Sequence, residues 1–172
     1  ETELGQTFAL AHDVEMDYIA CAGARRHVDV WSPQRGRLMQ LPSSGRACYA
    51  LCNTSDGRLL IAGDDRATIH LWLLPERPGA SPEQAVARAT IQGHVAPLRA
   101  LATNSTGRLL LSGSLDGTAR LWSLEDGRCV AVLDHDGEAL SGVAFWAKGL
   151  VTATREGTLR LWDRRGLQID QV

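Results

Sequence analysis

The sequence predicts an all-β fold made of four copies of one four-stranded antiparallel unit. Three observations predict it. Four tryptophans, Trp31, Trp72, Trp122 and Trp162, recur at intervals of 41, 50 and 40 residues. Each closes a similar run: IACAGARRHVDVW, LLIAGDDRATIHLW, LLLSGSLDGTARLW and LVTATREGTLRLW. The third run breaks at Asp116-Gly117, a turn dipeptide between two β-rich stretches, so it reads as a tight hairpin. The fifth tryptophan, Trp146, falls outside the period.

The elements follow in order. The inner strand of the first unit is expected at Thr7 to Leu10 and its outer strand at Arg37 to Leu41. In the second unit Ala50-Leu51-Cys52 leads into the turn Ser55-Asp56-Gly57, and the outer strand covers Ala89 to Gln92. In the third, Leu98 to Thr103 precedes the turn Thr106-Gly107, and the strands Leu109 to Ser114, Thr118 to Trp122 and Cys129 to Leu133 follow. The fourth unit ends with Leu167 to Val172. The units therefore span about 5–42, 46–92, 96–134 and 138–172. The longest interval carries a surface insertion over 75–88, rich in Pro and Gly. Within it Ser81-Pro82-Glu83-Gln84 has the residues of a helix start, and one helical turn and an irregular loop both fit. Short antiparallel strands repeating every ~40 residues are the blades of a β-propeller.

The chain holds a whole number of blades. A blade needs a neighbour on each face, so an arc of four leaves two apolar faces uncovered. The expectation is an incomplete ring, completed by further blades of the same chain, a second copy or another subunit. The lack of an initiator Met leans toward a fragment or a partner-completed arc.

Gly93-His94, Ser112-Gly113-Ser114, Asp116-Gly117-Thr118 and Leu121-Trp122 in the third unit resemble the WD40 repeat family, as do Leu133-Asp134-His135 and Leu159-Arg160-Leu161-Trp162-Asp163 in the fourth. The resemblance covers nearly the whole chain. It implies a seven- or eight-bladed ring and a hydrogen-bonded tetrad in each intact blade. It places His94, Ser112, Asp116 and Trp122 in those roles. Blade 4 keeps His135, Thr152 and Trp162, with Glu156 where Asp is expected. Blade 2 has Ser44 near the His position and Ala62 and Arg66 at the Ser and Asp positions, and blade 1 has Cys21 and Arg25 at the last two. Those two blades are expected to rely on apolar packing, which makes the first half the softer half.

Composition narrows the function classes. The net charge of −2 argues against binding nucleic acid through bulk charge. Of the 18 basic residues only Lys148 is Lys. Arg forms planar, forked contacts with carboxylates and phosphates. Four cysteines in strand-like apolar runs read as reduced thiols of a cytoplasmic or nuclear protein. No apolar run reaches the ~20 residues of a membrane span, and the start has no signal-peptide pattern.

No chemistry is supplied. The pair Cys48 and Cys52 lacks two further zinc ligands. No phosphate loop or dinucleotide fingerprint occurs, so neither a metal nor a cofactor is expected. His, Ser and Asp in blade 3 look like hydrolase parts, yet blade architecture explains them. The expected function is a non-catalytic scaffold or adaptor for protein assembly. The alternative is a structural subunit of a large complex, a ribonucleoprotein included, with Arg-mediated phosphate contacts. The resemblance puts the partner-binding rim at Arg25, Arg26, Arg46, Asp65, Arg66, Leu115 and Arg155, together with Asp64, Asp136, Glu138 and Glu156. Arg25, Arg66 and Arg155 are the sharpest candidates, because they stand at or beside positions where a tetrad Asp would sit.

Overall fold

The computed structural model describes residues 6–75 and 86–171. Sixteen strands form four four-stranded antiparallel sheets, each pairing its strands in chain order. Blade 1 holds β1 (Thr7–Asp13), β2 (Tyr18–Gly23), β3 (His27–Ser32) and β4 (Gly36–Pro42). Blade 2 holds β5 (Cys48–Asn53), β6 (Leu59–Asp64), β7 (Ile69–Leu73) and β8 (Val86–Ile91). Blade 3 holds β9 (Leu98–Thr103), β10 (Leu109–Ser114), β11 (Thr118–Ser123) and β12 (Cys129–Asp134). Blade 4 holds β13 (Leu140–Trp146), β14 (Gly149–Thr154), β15 (Leu159–Asp163) and β16 (Gln168–Gln171). No helix occurs among the described residues, and none is long and apolar enough to cross a membrane.

Two strands extend three residues beyond the sequence expectation at one end. β1 continues to Asp13, because His12 and Asp13 find partners at Ile19 and Tyr18. β8 starts at Val86, three residues inside the expected insertion, because it pairs with the full length of β7 up to Leu73. The candidate helical turn at 81–84 lies outside the described residues. All four periodic tryptophans sit at the same irregularity, a register slip between the third and fourth strands of their blade. The repeat is thus carried by backbone geometry as well as by residue type.

Cross-strand partners share a face of the sheet. In blade 3 Leu111 pairs with Leu121 on what we call the forward face, and Leu110 pairs with Trp122 on the rear face. The forward face of each blade lies on the rear face of the next. Ala20, Val28 and Val30 of blade 1 pack with Leu60, Ala62 and Trp72 of blade 2. Ile61, Ile69 and Leu71 of blade 2 pack with Leu98, Leu110 and Trp122 of blade 3. Leu111, Ala119 and Leu121 of blade 3 pack with Leu140, Leu150 and Trp162 of blade 4. The approach is close enough to require a glycine: a Cβ on Gly113 would lie 2.9 Å from Val143 Cγ1.

The inner strands β1, β5, β9 and β13 pack one on the next. Among the described residues no comparable packing joins β13 back to β1, so the ring is open. Its two end faces are built like the interior joints. On the forward face of blade 4, Val151, Leu159 and Leu161 hold the repeat positions of Leu111, Ala119 and Leu121. The blade 3 residues are 0%, 0% and 2% exposed, whereas Leu159 is 44% exposed and the other two are half-buried. On the rear face of blade 1, Leu10 and Ile19 are exposed and Trp31 is half-buried. An apolar depression of about 430 Å³ opens there, lined by Leu10, His12, Val14, Ile19 and Pro33 among others.

This asymmetry gives a direct prediction. Leu121→Ala empties a packed joint and should cost about 2–5 kcal/mol in urea unfolding. Leu161→Ala, at the same repeat position on the open face, should cost less than half as much. Equal losses in the isolated chain would contradict an open forward face.

Candidate partner-binding surface

The rim turns of blades 2, 3 and 4 are held by buried polar networks, each different. Blade 3 has the complete chain. His94 Nδ1 lies 2.8 Å from Asp116 Oδ2, and His94 Nε2 lies 2.7 Å from Ser112 Oγ. The indole N–H of Trp122 donates to Ser112 Oγ at 2.8 Å. With Asp116 accepting from Nδ1, Nε2 is left to accept from the Ser112 hydroxyl. Asp116 also accepts from the backbone N–H groups of Val95 and Thr118. It thereby ties the connector before β9 to the β10–β11 turn. Gly117 in that turn has φ +81°, and a Cβ there would meet Gly137 Cα at 2.7 Å. The connectivity imitates a hydrolytic triad, but Ser112 is 0% exposed and its oxygen is already engaged by Trp122. No substrate carbonyl can reach it.

Blade 4 keeps the core of the network and changes its end. Thr152 Oγ1 takes the Trp162 indole N–H at 2.8 Å and sits 2.6 Å from His135 Nε2. His135 Nδ1 then donates to the Leu133 carbonyl at 3.0 Å. A backbone oxygen replaces the missing Asp, and the exposed Glu156 takes no part.

Blade 2 corrects an expectation. It does not rely on apolar packing alone, because Asp64 and His70 build a substitute network that the family pattern conceals. Asp64 Oδ2 lies 2.9 Å from His70 Nε2 and accepts from Ser44 Oγ at 2.8 Å. Asp64 Oδ1 accepts from the N–H groups of Arg66 and Thr68. His70 stacks on Trp72 with centroids 5.5 Å apart. Burial pushes the Asp64 carboxyl up, but these hydrogen bonds outweigh it and hold the pKa at about 2. Asp64 was expected on the rim, yet it is wholly buried.

Blade 1 is the weakest. With Cys21 at the serine position, the buried indole nitrogen of Trp31 has no hydrogen-bond partner. A buried donor left unpaired costs about 1–3 kcal/mol. Asp29 is satisfied locally, by Gln40 Nε2 at 2.9 Å and by His27 Nε2 at 3.4 Å.

The rim candidates separate into free and engaged groups. Arg26, Arg46, Arg66 and Arg155 are exposed and Arg25 is half-buried. None of their guanidinium groups bonds another described residue. Asp65 is half-buried and accepts from the Arg46 backbone N–H at 2.9 Å. Leu115 is half-buried, with its N–H on the Pro97 carbonyl at 3.0 Å. Asp136 is engaged by Arg160 Nη2 at 2.9 Å, and Glu138 is half-buried. Cys48 and Cys52 do not form a disulfide, and burial pushes their thiols up to about 11 and about 12. Thiols so shifted stay protonated and are poor metal ligands. Among the described residues no cluster of three or more His, Cys, Asp or Glu is placed to hold a metal.

Comparison with known proteins agrees with this geometry. Residues 86–123 match the WD40 family model, described as WD domain, G-beta repeat. No curated protein sequence matches the chain. Among solved structures 1404 chains are similar, so the fold itself is widespread and does not single out one function. One of them is a crystal structure of the computationally designed Ika8 protein, 21% identical, with a TM-score of 0.81. The match covers 98% of this chain and 49% of the designed one, so the chain spans about half the length of that neighbour. At this identity the likeness shows the fold alone.

The histidines make the networks sensitive to acid. Burial lowers the pKa of His94 against the pull of Asp116, and burial lowers that of His135 too. Both are held neutral in the fold, whereas the unfolded chain takes up protons near pH 6.5. Their contribution is therefore complete above that pH and is lost as the pH falls below it. Asp64 and Asp116, both lowered, keep their contribution until the pH falls below the ordinary carboxylate range. Urea midpoints should drop between pH 7.5 and 5.5, and less so in His94→Gln/His135→Gln. A midpoint that rises on acidification would contradict neutral, buried imidazoles.

Proposed function

From the premise that this chain is a β-propeller arc carrying a WD40 repeat, we propose that it is a non-catalytic scaffold that holds protein partners at its uncovered blade faces and on its Arg-bearing rim. Proteins built from WD40 repeats generally mediate protein–protein interaction. One observation carries the reading for this chain: the forward face of blade 4 repeats the residue pattern that every other blade buries on a neighbour, and nothing among the described residues covers it. Fully burying an exposed Leu contributes about 1.5–3 kcal/mol. Leu159 is 44% exposed, so covering it would contribute roughly half of that and favours covering the face.

The occupant that fits is another blade presenting a rear face, whether from the same chain, a second copy or another subunit. Free guanidinium groups at Arg25, Arg66 and Arg155 add a second contact zone suited to carboxylates. The same groups also fit phosphates, which keeps a ribonucleoprotein subunit as the second reading. The unpaired cysteines accord with a cytoplasmic or nuclear setting.

Light scattering tests the proposal. The chain alone should self-associate in a concentration-dependent way, and Val151→Asp/Leu161→Asp should suppress that association. A stable, soluble monomer of the unaltered chain would count against the reading. Retention on RNA that falls steeply with salt would favour the second reading.

A further inference from the structure

The inner strand of every blade carries one extra residue where it pairs with the second strand. The register slips between Thr7 and Ala9 in blade 1, between Cys48 and Ala50 in blade 2, opposite Gly113 and Ser114 in blade 3, and between Leu140 and Gly142 in blade 4. A bulge leaves its extra residue out of the ladder and re-aims its side chain. The bulged residues are Phe8, Tyr49, Arg99 and Ser141. Three of them meet. The Phe8 and Tyr49 rings lie 5.0 Å apart, tilted by 33°, and Arg99 Cζ stands 4.7 Å from the Tyr49 ring centre. Tyr49 is thus contacted by Phe8 from one neighbouring blade and by Arg99 from the other.

This ladder is not explained by blade packing. Phe8 is 44% exposed and Arg99 is exposed, and neither belongs to an interblade core. The Arg99 guanidinium makes no hydrogen bond or ion pair with another described residue. The ring contact positions the guanidinium while leaving its N–H donors open. Such a group is prepared for two parallel bonds to one carboxylate.

We propose that the Phe8–Tyr49–Arg99 ladder is a recognition site for an acidic peptide segment of a partner protein, with a Glu or Asp carboxylate on Arg99 and an apolar side chain of the same segment on Phe8. This rests on the reading of the chain as a protein-binding scaffold and names the chemistry of one contact. The arrangement favours a peptide over single-stranded RNA. Base stacking needs open aromatic faces in series. Here Tyr49 is already occupied by Phe8 and Arg99, so one ring is left. The overall charge of −2 supplies no field to track a phosphate backbone.

The test is fluorescence anisotropy on the whole chain with three labelled probes: a peptide of alternating Glu and Phe, the same peptide with Gln for Glu, and an oligouridylate. The Glu peptide should bind. Its Gln counterpart should bind roughly tenfold or more weakly, because hydrogen bonds to a charged group are worth about 1.5–3 kcal/mol. Arg99→Gln should produce a loss of the same order at unchanged unfolding midpoint. Arg99→Lys should recover only part of the binding, since it keeps the charge without the fork. Phe8→Ala should weaken both peptides alike. Equal binding by Arg99→Gln, no binding of the Glu peptide, or tighter binding of the oligouridylate would each overturn the proposal. The scaffold reading is tested separately by light scattering, and the Arg25→Ala/Arg66→Ala/Arg155→Ala variant reports on the rim. If that variant loses binding while Arg99→Gln keeps it, the ladder fails and the scaffold stands.

Discussion

Everything in this structure depends on one joint: the forward face of a blade pressed against the rear face of the next. A single four-stranded sheet of this size has no interior of its own. Its apolar residues alternate to both faces, and only a neighbour can remove them from water. The three joints are built on one plan, with branched aliphatic residues on the forward face and a tryptophan opposite. Blade 2, covered on both sides, has a second strand that is buried along its whole length. Blade 4, covered on one side, has a second strand buried at only four of its six positions. Burial follows position in the stack, not composition.

The polar networks are secondary to that joint and serve a different end. They fix where the turns sit. In blade 3 a single carboxylate, Asp116, gathers donors from the connector and from the hairpin, so the two loops move as one. Blades 2 and 4 reach the same end with other atoms, a shifted Asp–His pair and a backbone carbonyl. What blades 3 and 4 retain is a partner for the tryptophan indole N–H, and blade 1, where the Trp31 nitrogen is orphaned, shows what failure leaves. A rim anchored in this way can hold charged side chains at fixed positions without using their charges internally.

The sequence made the architecture legible because the tryptophan period and the hairpin pattern are local. Strand order and blade number follow from them, and the resemblance to the WD40 repeat family implied the blade 3 network. The substitute network of blade 2 was not legible. Asp64 and His70 lie six residues apart on paired strands, two positions away from where the family keeps its Asp, and Ala62 and Arg66 at the family positions hid them. The start of β8 was missed because Val86-Ala87-Arg88 follows a Pro- and Gly-rich segment, and strand pairing with β7 overrides that local signal. The Phe8–Tyr49–Arg99 ladder depends on bulges, which arise from pairing between strands and leave no mark on residue type. Of the rim, the turns were placed by pattern, but whether a given side chain is free or engaged, as with Asp136 on Arg160, is decided by tertiary contact.

The end faces of this arc carry the same residue pattern as its interior joints. The same physics that stabilises its interior leaves apolar residues such as Leu10, Ile19 and Leu159 exposed at its ends, and on the proposed reading the rim and inner-edge ladder would add selectivity to an attachment driven by apolar burial. Residue-resolved hydrogen exchange under native conditions tests this most directly. If blade-on-blade burial governs stability, amides of β6, β7, β10 and β11, in the two blades covered on both faces, should exchange most slowly. Those of blade 4, with one open face and a satisfied network, should be intermediate, and those of blade 1, with one open face and an unpaired Trp31, the fastest. Uniform protection across all four blades, or protection in blade 1 equal to that in blade 3, would contradict the account.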